Sequence, residues 1–145
     1  MPIPEYKRPE SVLVVVHNDA AEVLMLERIR PAGFWQSVTG SLLPGETPLA
    51  AAQRELQEET GLVLDVQDCR RINTFPILPA WRARYAPEIT HNREHVFIAY
   101  CGGRPPVMLN PCEHVAFRWL AREAAAELAF SSTNRDAILD FIAAV

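Results

Sequence analysis

Alternation of apolar and polar positions divides the chain into short elements. Residues 11–17 form a β-rich run that predicts a strand, and Asn18-Asp19 predicts the turn after it. Residues 22–27 predict a second strand, with Val23 and Met25 on one face and Leu24 and Leu26 on the other. Residues 34–39 read as a strand, and residues 62–66 and 70–75 as two more. Residues 95–101 and 115–120 complete the predicted strands, and residues 121–128 predict a helix. Thr133 is expected to cap a last helix whose Ala137, Ile138, Phe141, Ile142 and Val145 make an apolar stripe. Residues 78–92 carry prolines, Trp81 and Tyr85 in a connection long enough to suggest function. No repeat, low-complexity tract or long linker interrupts the pattern, so one domain over residues 1–145 is expected.

The best-signalled helix lies between Thr47 and Gly61. Thr47 suits the N-cap, Pro48 the first helical position and Gly61 a left-handed C-terminal residue. Leu49, Ala52, Leu56 and Thr60 share an arc predicted to pack inward. Glu55, Glu58 and Glu59 occupy the adjoining arc, at the border between core and solvent. Carboxylates at i, i+3 and i+4 repel by roughly 0.2–0.5 kcal/mol per pair. A divalent cation removes that repulsion, and oxygen-only ligands favour Mg²⁺ or Mn²⁺ over zinc. Arg54, one turn before Glu58, is placed to hold that carboxylate and leave its neighbours free.

Composition narrows the classes. Hydrophobic residues make up 49% of the chain, which excludes a disordered one. The net charge is −4, and the acidic box around the helix accounts for it, so no basic surface for a nucleic-acid polymer is expected. Cys69, Cys101 and Cys112 form no C-x-x-C pair and predict reduced thiols in a cytoplasmic protein. The first five residues have no apolar signal core, and no apolar run reaches membrane-spanning length.

Gly40, Glu46, Arg54, Glu55, Glu58, Glu59 and Gly61 stand at set spacings. At residue frequencies of roughly 5–7% each, a chance match at one start is on the order of 10⁻⁹. This stretch resembles the signature box of the Nudix hydrolases. The resemblance implies an α/β fold, an α/β/α sandwich around a mixed β-sheet. It also implies Mg²⁺-dependent cleavage (Mn²⁺ as a substitute) of a diphosphate linked to another moiety. Glu55 and Glu59 would be metal ligands, Glu58 a third ligand or the base, and the Gly40 carbonyl would lie near the metal. Glu46 and Arg54 would brace loop and helix. A binding module on this fold would be expected to have lost box carboxylates, and this chain keeps all of them.

Beyond the box, Tyr6-Lys7-Arg8-Pro9, Val23-Leu24-Met25-Leu26 and the run from Phe34 to Ser41 resemble one Nudix subfamily. So do Arg84-Tyr85-Ala86-Pro87, Glu113-His114, Trp119-Leu120 and Asn134-Arg135-x-Ala137-Ile138. That subfamily is the dihydroneopterin triphosphate pyrophosphohydrolases of folate synthesis. It implies a small-molecule triphosphate substrate, with Lys7, Arg28 and Thr39 in contact with it, Phe75 stacked on a pterin ring and Ser131 offering a hydroxyl or backbone donor. Taken alone, Lys7 and Arg28 read as solvated cations, Phe75 as core and Ser131 as a turn residue. Glu113 would add a metal ligand from outside the helix, and His114 is expected to be a neighbour without a catalytic role. Thr74, Pro76 and Leu78 depart from the subfamily's more acidic or aromatic residues, as do Phe130 and Ser132 from its basic and aromatic ones. These departures bear on ring preference and leave the metal side intact. Nucleoside triphosphates remain the rival substrates.

Overall fold

The computed structural model describes residues 5–144. Its centre is β1 (Glu10–His17), whose apolar run from Val12 to Val16 is buried on both faces. Val12, Val14 and Val16 join one core, and Leu13 and Val15 the opposite one. A strand covered on both sides needs no polar alternation, which is why this stretch is apolar without a break. β2 (Glu22–Arg28) divides its side chains as the alternation predicts, Leu24 and Leu26 to the first core, Val23 and Met25 to the second.

Among the described residues seven strands form one mixed sheet. β1 runs parallel to β6 (His91–Tyr100) along its whole length, from Glu10↔Arg93 to His17↔Tyr100. β5 (Gln67–Pro76) pairs antiparallel with β6 at the sheet edge. On the other side of β1, β2 is in register at His17↔Val23, beyond which the two strands diverge. β4 (Val38–Ser41) continues along β1, β3 (Trp35–Gln36) along β2, and β7 (His114–Ala121) takes the far side of β2. The sheet therefore opens as a wedge between β1–β4 and β2–β3. α1 (Pro48–Thr60) covers the first core, and α2 (Arg122–Leu128) with α3 (Ser132–Phe141) covers the second. This is an α/β/α sandwich around a mixed sheet.

The predicted caps of α1 hold. The Thr47 hydroxyl accepts from the Ala50 amide, Pro48 follows, and Gly61 takes φ 74° while its amide donates to the Gln57 carbonyl. The inward arc is shifted from expectation: Leu49 is 48% exposed, while Ala51, Ala52, Leu56 and Thr60 are buried with Glu55 and Glu59. The predicted strand 34–39 is interrupted at Ser37, because its halves follow different partners across the wedge. Residues 62–66 form no strand; Leu62, Leu64 and Val66 pack on the first core without a sheet partner. Ser131, not Thr133, caps α3, its hydroxyl accepting from the Asn134 amide. The long connection 78–92 contains a 3-10 turn at Pro79–Arg84, and β6 begins within it at His91. Ala137, Ile138 and Ile142 of the predicted stripe are buried, whereas Val145 lies outside the described residues.

Candidate active site

The wedge lets α1 reach through the sheet. Glu59 is 1% exposed and Glu55 8%, so both carboxylates sit inside the protein rather than at its border. Neither oxygen of Glu59 has a well-formed hydrogen bond, and the nearby Thr39 backbone only weakly favours its charged form. Burial pushes its carboxyl well above the ordinary range, and repulsion from Glu55 and Glu113 adds to the rise. Burial raises Glu55 too, against the lowering by Arg54. A buried, unpartnered carboxylate is costly, and a divalent cation is the group that relieves it. Glu59, Glu113 and His114 offer ligand atoms that all lie within 4.8 Å of one another. Gly40 leaves the space that Glu55 occupies, since a Cβ there would overlap its carboxyl group. The donor set fits a hard cation.

Arg54 organises the approach to this cluster. Its guanidinium donates to Glu46 at 2.8 and 2.9 Å, to Glu55 at 2.8 Å, to Glu58 at 3.1 Å and to the Ser41 carbonyl at 3.0 Å. Glu46 also accepts from the Leu43 amide, so loop and helix are tied at one point. Its carboxyl is held down to about 2, by the Arg54 hydrogen bonds above all. Arg8 adds donors to the Leu43 and Glu46 carbonyls. Glu58, 53% exposed at its side chain, stays on the outer side of α1, tethered to Arg54.

Beside the carboxylates opens a cleft of about 1650 Å³. Lys7, Arg28 and Arg84 line it together with Gly40, Glu55, Glu59 and Glu113. Lys7 keeps much of its side chain accessible. Even so, the surrounding walls displace enough water from its ammonium, and Arg84 and Arg28 repel it enough, to lower its pKa. Burial and Arg84 lower Arg28 in the same way. The Lys7 amide donates to the Arg84 carbonyl at 2.8 Å, which holds the two segments together. Arg28 lies 5.4 Å above the Trp81 ring and donates to the Arg30 carbonyl at 2.8 Å. Cations that repel one another beside a cation-seeking acidic cluster make a seat for a polyphosphate and its metal.

The NUDIX domain profile matches residues 7–141. This chain belongs to the Nudix family of hydrolases. It is 43% identical over 143 residues to a dihydroneopterin triphosphate diphosphatase of Escherichia coli K12, covering 94% of each chain. A Haemophilus influenzae protein of the same name is 39% identical over 144 residues, covering 95% of this chain and 90% of that one. The solved structure of the E. coli dihydroneopterin triphosphate pyrophosphohydrolase superposes with a TM-score of 0.87, at 43% identity, over 94% of this chain and 97% of that one. No helix among the described residues is long and apolar enough to cross a membrane.

Within this Nudix site, the residues predicted from sequence fall into three groups. Glu55, Glu59, Glu113 and Gly40 converge beside Arg54, whereas Glu58 is not part of the cleft lining. Lys7, Arg28, Thr39, Phe75 and Ser131 all line the cleft. Two of these are already engaged: Thr39 donates its hydroxyl to the Val12 carbonyl at 2.9 Å, and Ser131 caps α3. His114 lies closer to the carboxylates than its place beside Glu113 in the sequence suggests. It is buried, its Nε2 lies 3.7 Å from Glu59 and 3.4 Å from the Gln36 amide nitrogen, and burial with nearby Arg28 lowers its pKa to about 4. A neutral imidazole thus stands inside the cluster. Gln36, Trp81, Arg84, Asn92 and Glu94 also line the cleft and were not singled out from sequence as site residues. Three of them carried a signal: Trp81 and Arg84 in the aromatic- and proline-rich connection, and Gln36 in the run from Phe34 to Ser41.

Proposed function

We propose that this chain is a pyrophosphohydrolase converting dihydroneopterin triphosphate to dihydroneopterin monophosphate and pyrophosphate. The observation that carries the reading is the 43% identity, across 94% of both chains, to the E. coli dihydroneopterin triphosphate diphosphatase. The cation seat beside buried carboxylates supports it independently.

In this reading Glu55, Glu59 and Glu113, with the Gly40 carbonyl, hold Mg²⁺, or Mn²⁺ in its place. When bound, such a cation neutralises phosphoryl oxygens and acidifies the attacking water. Arg54 orients Glu55 and Glu58, and Glu58 swings from its outer position to serve as the base. Lys7 and Arg28 neutralise charge on the phosphates as it shifts toward the leaving pyrophosphate. Phe75 stacks on the ring, while Thr39 and Ser131 position the chain between ring and phosphate. The protein acts as a single domain over residues 1–145 in the cytoplasm, on a small molecule, without a nucleic-acid polymer or a membrane.

Pyrophosphate release with Mg²⁺ from dihydroneopterin triphosphate and from the four ordinary dNTPs tests the assignment. The pterin should give the highest kcat/KM, by roughly tenfold or more. A dNTP cleaved as well or better would overturn the substrate, and no release from any of them would overturn the activity.

A further inference from the structure

The α2–α3 layer covers only part of its face of the sheet; the remainder is the floor of the cleft. Ser11, Thr39, Phe75, Asn92 and Glu94 lie there. Register explains the grouping, because Ser11 is paired with Glu94 on β6 and Asn92 with Phe75 on β5. Glu94 is 5% exposed, and among the described residues no cation pairs with it. Asn73 donates to its Oε1 at 3.2 Å, and the neighbouring Thr133 hydroxyl also favours the charged carboxylate. A carboxylate offers about four acceptor positions, so these neutral partners leave capacity. Burial pushes the Glu94 carboxyl above its ordinary range, and further N–H donors would offset that cost. Asn92, also 5% exposed, donates to Ser11 Oγ at 2.8 Å, while its Oδ1 accepts nothing. The floor is thus rich in acceptors, and the aromatic Phe75 lies beside them.

We propose that Glu94 is the specificity-determining residue of this cleft, accepting paired hydrogen bonds from the ring N–H and adjacent exocyclic amine of a 2-amino-4-oxopyrimidine ring. Reduced pterins and guanine share that edge. Adenine and cytosine set a ring acceptor beside their amine, and thymine flanks its N–H with carbonyls, so each would oppose the carboxylate. Reach agrees with this role. Gly40 pairs with Val12 on β1, and Val12 with His95 beside Glu94, two strand spacings or about 10 Å from the metal seat. That is comparable with the distance between the first phosphate and the ring edge in such a substrate. The inference rests on the triphosphate-hydrolase reading for substrate orientation and names the group that selects the ring.

Glu94→Gln tests it, since the amide keeps the volume and replaces one acceptor with a donor. kcat/KM for dihydroneopterin triphosphate and dGTP should fall roughly 10- to 100-fold, mostly through KM, while dATP and dCTP hold or rise, because the amide supplies the donor that their ring acceptor lacks opposite a carboxylate. Binding of phosphate-free neopterin and guanosine, followed by calorimetry without metal, should weaken in parallel. An equal fall on every substrate would make Glu94 a structural residue and overturn the inference, as would unchanged selectivity. If Glu94→Gln fails to fold, Glu94→Asp makes the same test by withdrawing the charge one methylene. The two readings fail separately. Wild-type protein inert toward the pterin but selecting dGTP through Glu94 refutes the substrate alone. Pterin turnover indifferent to Glu94 refutes the ring-recognition role alone.

Discussion

Glu59 is the side chain on which the proposed metal site turns. Its carboxylate is held out of water, without a donor, beside Glu55 and within reach of Glu113. Glu59→Gln should therefore lower turnover by orders of magnitude and leave the metal-free fold as stable or more so, because a buried repulsion is removed. Thermal unfolding with and without Mg²⁺ checks this. The wild type should gain about 2.7 kcal/mol at a hundred times its Kd, and the variant much less. Near-normal turnover would end the assignment of Glu59 as a ligand. Gly40→Ala should impair both metal binding and stability, since its methyl group meets the Glu55 carboxyl; overpacking of this kind costs about 1–3 kcal/mol. Glu46 supplies a pH test. Its folded-state carboxyl titrates at about 2 against an ordinary 4.5, so its pairing with Arg54 stabilises the fold above about pH 4.5 and fades as pH falls toward 2. The urea-unfolding gap between wild type and Glu46→Gln should be widest at neutral pH and close across that range. A gap independent of pH would contradict the pairing.

At the scale of elements, α1 was legible because its start, stop and charged arc are all written locally: Thr47, Pro48, Gly61 and the glutamate spacing. Its inward arc was misjudged at Leu49 because periodicity cannot say which arc a wedge in the sheet will swallow. The same wedge made Ser37 unreadable. Its amide donates to Asn134 Oδ1 at 2.8 Å and its hydroxyl accepts from Asn134 Nδ2 at 2.9 Å, a contact spanning most of the chain. This buried pair joins the β3–β4 break to the start of α3, next to Ser131 on the cleft wall. Asn134→Ala should cost roughly 1–3 kcal/mol, leaving the Ser37 amide without a partner, and should raise KM more than it lowers kcat. Denaturant unfolding with steady-state kinetics distinguishes this from a loss of the catalytic carboxylates, which would strike kcat. The closeness of His114 to Glu59 was hidden for a related reason: in sequence it is merely a neighbour of Glu113, and only β7 pairing with β2 brings it to Glu59.

For the whole molecule, divergence of β2 from β1 is the feature that makes a site. It lets carboxylates from the helix on one face meet Glu113 and the cations Lys7, Arg28 and Arg84 from other segments. Helix and strand patterns predicted most of the parts, and the box predicted the bond to be broken. The acceptor-lined floor at Asn92 and Glu94 was hidden, since two polar residues at alternating positions of a strand look like a solvated face until β5 and α3 enclose them. The central claim is that buried acidic oxygens grip a divalent cation beside a polyphosphate. Crystals soaked with Mn²⁺ and a non-hydrolysable triphosphate, measured for anomalous scattering, test it most directly. The account predicts a peak in direct coordination with oxygens of Glu55, Glu59 and Glu113. Manganese bound to the phosphates alone, with those carboxylates untouched, would contradict it.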